Sequence, residues 1–234
     1  MFNEWSTFAE LLSFRLEIMQ RFDAQNGVSQ RGCDNPKCCK IGAKTEFKRC
    51  SGCKAFRYCS RECQTADWHE GAHRSACPLH RDQYRFVDER FTSRDRAFLR
   101  FLLHHDYLQA RRKILFDQVP ILRDNPDCPA WTMFDYRHGG VEIGTHLIDL
   151  EGENAPEWLD RVARTVESGG RMQLHVMLLR DGELTKFWVM PLRSNSSFVR
   201  DSVVRLGASV VDGTDGLVGA FESLEIPEDV VEIH

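Results

Sequence analysis

The chain has 234 residues, of which 42% are hydrophobic and 28% are charged, and its formal net charge is -4. This composition is typical of a protein that folds into one or two domains. The slight acidic excess excludes a basic field over the whole chain, which would favour non-specific binding to nucleic acids.

The N-terminal residues lack the features of a signal peptide, because charged and polar residues interrupt them and no small-residue cleavage site follows. The apolar runs, such as 176–179, are far shorter than the roughly 18 residues that a membrane span needs. The sequence therefore predicts an intracellular protein, with nucleus and cytoplasm not distinguished. In such a compartment, clustered cysteines bind metal more readily than they form disulfides.

Eight of the nine cysteines fall within 45 positions, and this asymmetry divides the chain into parts. Only Cys128 lies outside the cluster, and we interpret it as an inert loop thiol. The parts are an N-terminal helix and linker (1–32), a cysteine-rich segment (33–80), a long helix or connector (81–122), an α+β domain (123–211) and an acidic C-terminal tail (212–234).

Two amphipathic helices are predicted to flank the cysteine-rich segment. In the first, residues 4–24, apolar side chains recur at steps of three and four and indicate one buried face. The second begins after Thr92 or Ser93, either of which can cap it, and Pro120 ends it. The predicted buried residues are Trp5, Phe8, Leu12, Leu16, Met19 and Phe22 in the first helix, and Phe98, Phe101, Leu102, Leu108 and Leu115 in the second.

From residue 131 the pattern changes to short alternating runs. The hairpin signal Asp181-Gly182 joins two of the predicted strands. A well-capped helix over 154–170 is expected to turn Trp158, Leu159, Val162, Ala163 and Val166 toward the core. The order β-β-α-β-β-α predicts an α+β fold with an antiparallel sheet. The predicted strands cover 131–137, 141–150, 172–179 and 184–192, and a final helix covers 196–206.

The cysteine-rich segment contains four ligand pairs at characteristic spacings. A Cys-x2-Cys turn places two thiolates on one tetrahedral centre, and an i, i+4 pair places two ligands on one helix face. Eight ligands suffice for two closed sites, and sulfur-rich tetrahedral sets select zinc over hard cations. The pairs are Cys33-x4-Cys38, Cys50-x2-Cys53, Cys59-x3-Cys63 and His73-x3-Cys77.

The segment resembles a MYND-type zinc finger. The residues that carry the resemblance are Cys50-x2-Cys53, "YCSREC" at 58–63, Gln64, "DW" at 67–68 and His73-x3-Cys77. The sequence is also similar to MYND-domain proteins of mushroom-type fungi. The resemblance implies that two zinc sites interleave along the chain. One zinc is then bound by Cys33, Cys38, Cys59 and Cys63, and the other by Cys50, Cys53, His73 and Cys77.

Two departures from the family pattern leave alternatives open. Four residues separate Cys33 from Cys38 where two are usual, so Cys39 is a rival ligand. Four residues also separate Trp68 from His73 where two are common, so His69 and His80 are rivals of His73. His73 keeps the i, i+4 relation to Cys77, which favours it.

The ligand count favours a structural role for both metal ions. A catalytic zinc keeps one coordination position open for water, whereas protein ligands fill all eight positions here. Some 45 residues bury too little apolar surface to fold alone, and zinc binding of about 10–16 kcal/mol per site supplies the missing free energy. We therefore predict two Zn²⁺ per chain, no catalytic residues and no other cofactor site.

The function expected on these grounds is protein–protein interaction, in transcriptional or other regulatory assemblies. In MYND fingers that read proline-containing peptides, positions like Gln64 and Trp68 line the groove, and the peptide adds along an edge strand. The competing interpretation is that Trp68 only packs the small core of the finger. Nucleic acid is not the expected partner, because the nine Lys and Arg of 33–80 oppose five acidic residues and an anionic metal core.

Two alternative functions have distinct signatures. Some MYND proteins are lysine methyltransferases whose finger interrupts a SET domain, but only 32 residues precede the cysteines here, and the Asn-His and post-SET motifs are missing. A DNA-binding regulator would show an affinity for DNA that falls steeply with salt concentration.

His104 and His105 point about 100° apart on a helix, so they cannot easily share one ligand and we expect packing roles for them.

Overall fold

The computed structural model describes residues 2–25, 30–124, 130–148, 155–209 and 224–234. Cys128 and the first half of the predicted acidic tail lie outside these ranges. The side chains of Trp5, Phe8 and Trp158 also lie outside the described part of the structure.

The chain up to residue 124 forms helices and two short hairpins. Strand β1 pairs antiparallel with β2, and β3 pairs antiparallel with β4. The elements are α1 (Phe2–Ala24), β1 (Gln30–Gly32), β2 (Ile41–Ala43), β3 (Lys48–Arg49), β4 (Arg57–Tyr58), α2 (Arg61–His69), α3 (His73–Arg90) and α4 (Ser93–Asp124).

Helix α1 packs on α4 through a narrower face than its periodicity predicts. Phe22 is 4% exposed, and its ring lies 5.6 Å from the rings of Phe98 and Phe101 in α4. The prediction that Leu12 and Leu16 are buried is wrong, because these side chains are 48% and 42% exposed. The contact of Phe22 with two aromatic rings sets the rotation of the helix and leaves the other apolar line in solvent.

The prediction that Pro120 ends the second helix is wrong. Helix α3 continues through Pro78 and helix α4 continues through Pro120. A proline inside a helix removes one hydrogen bond and costs about 3 kcal/mol, which tertiary packing can offset. Around Pro120 that packing comes from Leu115 and Val119, which are buried in a cluster with residues of the last helix. Thr92 caps α4 as predicted, since its hydroxyl accepts from the backbone N–H of Asp95 at 3.2 Å.

The centre of α4 covers the main core of the domain. Leu103, Tyr107 and Ile114 are fully buried there against Phe134 and Met177. The prediction that Leu108 is buried is wrong, because its side chain is 47% exposed.

The elements that follow α4 are β5 (Ala130–Asp135), β6 (Glu142–Leu147), α5 (Ala155–Glu167), β7 (Met172–Asp181), β8 (Leu184–Val189), β9 (Leu192–Ser194), α6 (Phe198–Ser209) and β10 (Glu232–Ile233).

The α+β class is confirmed, and the sheet is mixed. Its order is β10-β9-β7-β5-β6, with β8 also paired to β7. Strands β5 and β7 are parallel, whereas the other pairs are antiparallel. The prediction missed the parallel pair because β6 and α5 intervene between β5 and β7 and carry the chain back to the same end of the sheet.

Strands β8 and β9 lie end to end along one edge of β7. Val189 faces Val176 and Leu192 faces Gln173, so both strands keep one register, and the interruption falls at Met190-Pro191. Proline has no N–H to donate to the ladder, which explains the break. Strand β10 then pairs with β9, so the end of the predicted acidic tail is part of the sheet.

Glu232 of β10 is buried beside α4. Its carboxylate accepts a hydrogen bond of 2.8 Å from the Tyr107 hydroxyl and forms an ion pair of 2.5 Å with Arg111. These contacts attach the C-terminal strand to the helix layer. Among the described helices, none is both long enough and apolar enough to cross a bilayer.

Candidate metal centre

Two groups of four ligand atoms assemble in the cysteine-rich segment. Within each group, all the ligand atoms lie within 4.8 Å of one another. The groups interleave along the chain, so each one joins ligands that are distant in sequence. The first site consists of Cys33, Cys38, Cys59 and Cys63, and the second site of Cys50, Cys53, His73 and Cys77.

Local hydrogen bonds shape the long loop between the first two ligands. The side chain of Asn35 accepts from the backbone N–H of Lys37 at 2.9 Å and donates to the carbonyl of Cys63 at 3.2 Å. The carbonyl of Asn35 also accepts from the N–H of Cys38 at 3.0 Å. These bonds fold the four intervening residues into a compact turn, so Cys33 and Cys38 meet despite their unusual spacing.

The start of α2 places the other half of the first site. Ser60 caps this helix by accepting the N–H of Cys63 at 3.2 Å. The cap sets Cys59 just before the helix and Cys63 in its first turn. Their sulfur atoms lie 3.5 Å apart.

Cys39 is turned away from the first site. Its backbone adopts a positive φ of 49°, which points its side chain in a different direction from that of Cys38. Its thiol donates to the carbonyl of Pro36 at 3.0 Å and is 1% exposed. Of the two neighbouring cysteines, Cys38 is therefore the one that the structure brings to the site.

A tight turn and a helix start build the second site. The N–H of Lys54 donates to the carbonyl of Cys50 at 2.9 Å, and Lys54 has a positive φ of 58°. A Cβ at Gly52 would lie 3.1 Å from the sulfur of Cys77, so a side chain at that position would crowd the site. His73 begins α3 and presents its Nε2 to the sulfurs.

The two rivals of His73 lie elsewhere. His69 is exposed at the end of α2. His80 is buried, but its Nε2 forms a 2.7 Å hydrogen bond with Asp160. The structure therefore brings His73, and neither His69 nor His80, to the second site.

The distances within both groups fit tetrahedral zinc. With Zn–S bonds of about 2.3 Å, two sulfur ligands lie about 3.8 Å apart and a sulfur and a nitrogen slightly closer. The sulfurs of Cys38 and Cys59 are 3.6 Å apart, and Nε2 of His73 lies 3.4 Å from the sulfur of Cys50. Seven thiols and one imidazole are also the donors that zinc prefers. The two groups therefore fit two zinc ions.

Burial makes several thiols of the two sites hard to ionise without a cation. Burial raises the pKa of Cys53 to about 12 and that of Cys59 to about 11. Burial also acts against ionisation of Cys38, but the hydrogen bond from the backbone N–H of Lys40 and those from neighbouring thiols lower its pKa. A metal ion that binds here replaces protons on most of its ligands.

Arg164 of α5 anchors the finger to the α+β domain. Its guanidinium donates to Asp67 of α2 at 3.1 Å and to both carboxylate oxygens of Asp160 at 3.0 and 3.1 Å. It also donates to the carbonyl of Asp34 at 2.9 Å and lies 4.3 Å from the ring centroid of Phe56. The arginine is 5% exposed, so this is a buried charge held by two buried carboxylates.

Two further arginines of the domain bind the first loop of the finger. Arg171 donates to the carbonyls of Lys37 and Cys38, at 3.1 and 3.3 Å. Arg193 of β9 pairs with the carboxylate of Asp34. The loop that carries Cys33 and Cys38 is thus fixed from outside the finger as well as from within it.

This anchor could not be predicted from the sequence, because the apolar positions of α5 indicated the wrong face of the helix for the core. Leu159 and Val166 are 53% and 65% exposed, whereas Asp160, Arg164 and Thr165 are buried. A helix face with charged residues normally faces solvent. Here it faces the finger, and the one local signal was the i, i+4 spacing of Asp160 and Arg164.

Serine substitutions distinguish the two neighbouring cysteines. We expect Cys38→Ser to lower the zinc content from two ions to one per chain, because three ligands hold zinc far less tightly than four. Cys39→Ser, the matched control, is expected to keep two zinc ions. Elemental analysis of the purified proteins measures both. One zinc in Cys39→Ser and two in Cys38→Ser would reverse the assignment.

Comparisons with known proteins agree with this geometry. The family model of the MYND finger matches residues 33–77. The chain is 38% identical over 65 residues to ubiquitin carboxyl-terminal hydrolase 19 of Arabidopsis thaliana, a match that covers 24% of this chain and 10% of that protein. The chain thus spans about a tenth of the length of this curated relative. No solved structure matches the chain. Residues 33–77 are therefore a MYND-type zinc finger, with two interleaved sites that fit two zinc ions.

Proposed function

We propose that this chain is a zinc-stabilised protein-interaction protein that acts in regulatory assemblies. In this proposal all eight residues of the two sites are zinc ligands, and the finger presents a surface to a protein or peptide. The observation that carries it is the closure of both sites, since each group supplies the four ligands of a tetrahedral zinc.

A MYND finger is a non-catalytic module that mediates protein–protein interactions, which supports a protein partner. The Arabidopsis thaliana hydrolase shares only a tenth of its length with this chain, so its activity forms no part of the proposed function.

The surface proposed for the partner lies on α2 around Gln64 and Trp68. Both residues are half-buried, one helical turn apart. The ring of Trp68 lies 5.7 Å from the His73 ring and packs against the finger core. Trp68 therefore has a structural contact and an accessible part, so the two interpretations offered by the sequence are compatible.

The anchor on α5 restricts where a partner can bind. Asp67, between Gln64 and Trp68 in sequence, is 3% exposed, and its carboxylate accepts hydrogen bonds from Tyr58 and Arg164. A partner that used the Asp67 face would have to displace the α+β domain. We therefore propose that the partner binds the accessible side of α2 while the finger stays docked.

A peptide-binding measurement on the full-length, zinc-loaded protein tests this proposal. We expect proline-containing peptides selected from a library to bind at least tenfold more weakly to Gln64→Ala and Trp68→Ala than to the wild type. Arg74→Ala, which removes an exposed side chain elsewhere on the finger, is the control and should bind normally.

The zinc content of each variant separates loss of the groove from loss of the fold. Both α2 variants should retain two zinc ions per chain, since neither residue is a ligand. Wild-type affinity in Gln64→Ala and Trp68→Ala would refute the role proposed for α2.

A further inference from the structure

A large cavity lies between the finger and the sheet of the α+β domain. Its volume is about 1020 Å³, at the upper end of the range for small-molecule sites. The finger contributes Phe56 and Arg57, the helix α4 contributes Arg100, and the sheet contributes Trp131 and Trp188. None of these residues is a proposed zinc ligand or belongs to the surface proposed for the partner.

The lining of the cavity is strongly basic. Eight of its side chains are Arg or Lys, against two Asp. One of those carboxylates, Asp34, is already engaged, since it pairs with Arg193 and accepts the backbone N–H of Arg57. By formal charge, the side chains that line the cavity therefore carry more positive than negative charge.

Arg100 is one of the positively charged residues that line the cavity. Its side chain is half-buried, and its guanidinium makes no hydrogen bond or ion pair with any described residue. Burial, followed by the charges of Arg31, Arg193 and Arg57, lowers its pKa to about 9. Arg100 therefore remains protonated at neutral pH, surrounded by like charges.

Such a cluster is costly unless an anion completes it. Guanidinium groups bind phosphate and carboxylate through two parallel hydrogen bonds, and they do so best where water is partly excluded. Arg57 and Arg100 both have side chains without an ion pair among the described residues, and both face the cavity. Their donors are available to a ligand that carries at least two negative charges.

The sheet side of the cavity is aromatic. Trp131 contacts the His146 ring at 5.2 Å, and Trp188 stacks on Phe91 at 5.6 Å. Phe187 also lines the cavity and is 64% exposed. Flat apolar side chains of this kind accept a planar ring by stacking. A ligand that fills the cavity thus has an anionic end and a flat aromatic body.

We propose that this cavity binds a small anionic ligand of the nucleotide class, with its phosphate groups on Arg57 and Arg100 and its ring on the aromatic sheet wall. The ligand would contact the finger and the domain at once. Occupancy of the cavity would then stabilise their docking, independently of any protein partner on α2.

Titration calorimetry on the zinc-loaded full-length protein tests the proposal with three probes. Adenosine diphosphate is expected to bind, whereas inorganic phosphate and adenosine each bind at least tenfold more weakly, because each fills only one half of the site. No detectable binding of adenosine diphosphate at millimolar concentration would overturn the proposal. Equal affinity for phosphate and adenosine diphosphate would refute the aromatic half of the site.

Charge variants locate the binding. Arg100→Gln and, as a second variant, Arg57→Gln should each weaken adenosine diphosphate binding at least tenfold. Arg112→Gln removes the same charge from an exposed position of α4 and should bind like the wild type. Without ligand, Arg100→Gln is expected to melt at or above the wild-type temperature, because it relieves repulsion. Unchanged affinity in both cavity variants would place the ligand elsewhere and overturn the proposal.

Discussion

Removal of zinc from the intact protein with a chelator is expected to unfold residues 33–77 and to lower the melting temperature of the whole chain. Zinc binding contributes about 10–16 kcal/mol per site in zinc-finger peptides. Two such sites together exceed the total stability of about 5–15 kcal/mol that is usual for a domain. The buried core of the finger consists largely of its own cysteines, with Phe47, Phe56 and Tyr58, so the finger has few core side chains besides the metal ligands.

Hydrogen exchange measured by mass spectrometry follows this change along the sequence. Backbone amides of 33–77 should lose protection on chelation, and those of α5 should lose it in part, because Arg164 then lacks its partner on the finger. Addition of zinc should restore protection, whereas addition of magnesium should not, since thiolate sites do not favour a hard cation. Full protection of 33–77 in zinc-free protein would show that the metal is not what stabilises the fold.

Arg164→Ala is expected to destabilise the protein by about 3–5 kcal/mol, the usual cost of removing one partner from a buried ion pair. The substitution leaves the carboxylates of Asp67 and Asp160 buried without their arginine. For a chain of this size, that corresponds to a fall of roughly 6–20 °C in melting temperature. The zinc content should remain two per chain, because Arg164 contacts no ligand sulfur or ring nitrogen of either site in the described structure.

Calorimetric melting of zinc-loaded variants checks this value. Arg74→Ala, at an exposed position of the finger, is the control and should change the stability by less than about 0.5 kcal/mol. Addition of Asp67→Ala to Arg164→Ala should cost less than the sum of the two single changes, because the unpaired carboxylate is then gone. Equal melting temperatures for Arg164→Ala and Arg74→Ala would rule out the anchor.

The features that could be predicted from the sequence are those fixed by local spacing. A Cys-x2-Cys turn and an i, i+4 pair place their own ligands, so the eight residues brought together in the two sites are those that the spacing and the family resemblance indicated. Periodicity likewise located the helices and strands of the α+β domain. The turn at Asp181-Gly182 follows from the positive φ of 62° that Gly182 adopts.

The features that could not be predicted depend on contacts between distant parts of the chain. In the sequence, Arg164 and Asp160 have the pattern of charges that face solvent. Their burial depends on Asp67, which is 97 residues from Arg164 and binds it in the fold. The parallel pairing of β5 with β7 could not be predicted for the same reason, because no local sequence pattern distinguishes a parallel pair of strands from an antiparallel one. Cys38 and Cys39 differ only in the turn made by Asn35, which residue type alone does not specify.

We propose that two zinc ions occupy closed sites built from seven cysteines and one histidine. Zinc K-edge X-ray absorption of the native protein tests it most directly. Shared by two ions, these ligands average 3.5 sulfur atoms at about 2.3 Å and 0.5 nitrogen atom at about 2.0–2.1 Å per zinc. That composition is the predicted result. A zinc shell with three or fewer sulfur atoms and additional oxygen ligands would contradict it, because at least one site would then be open to water.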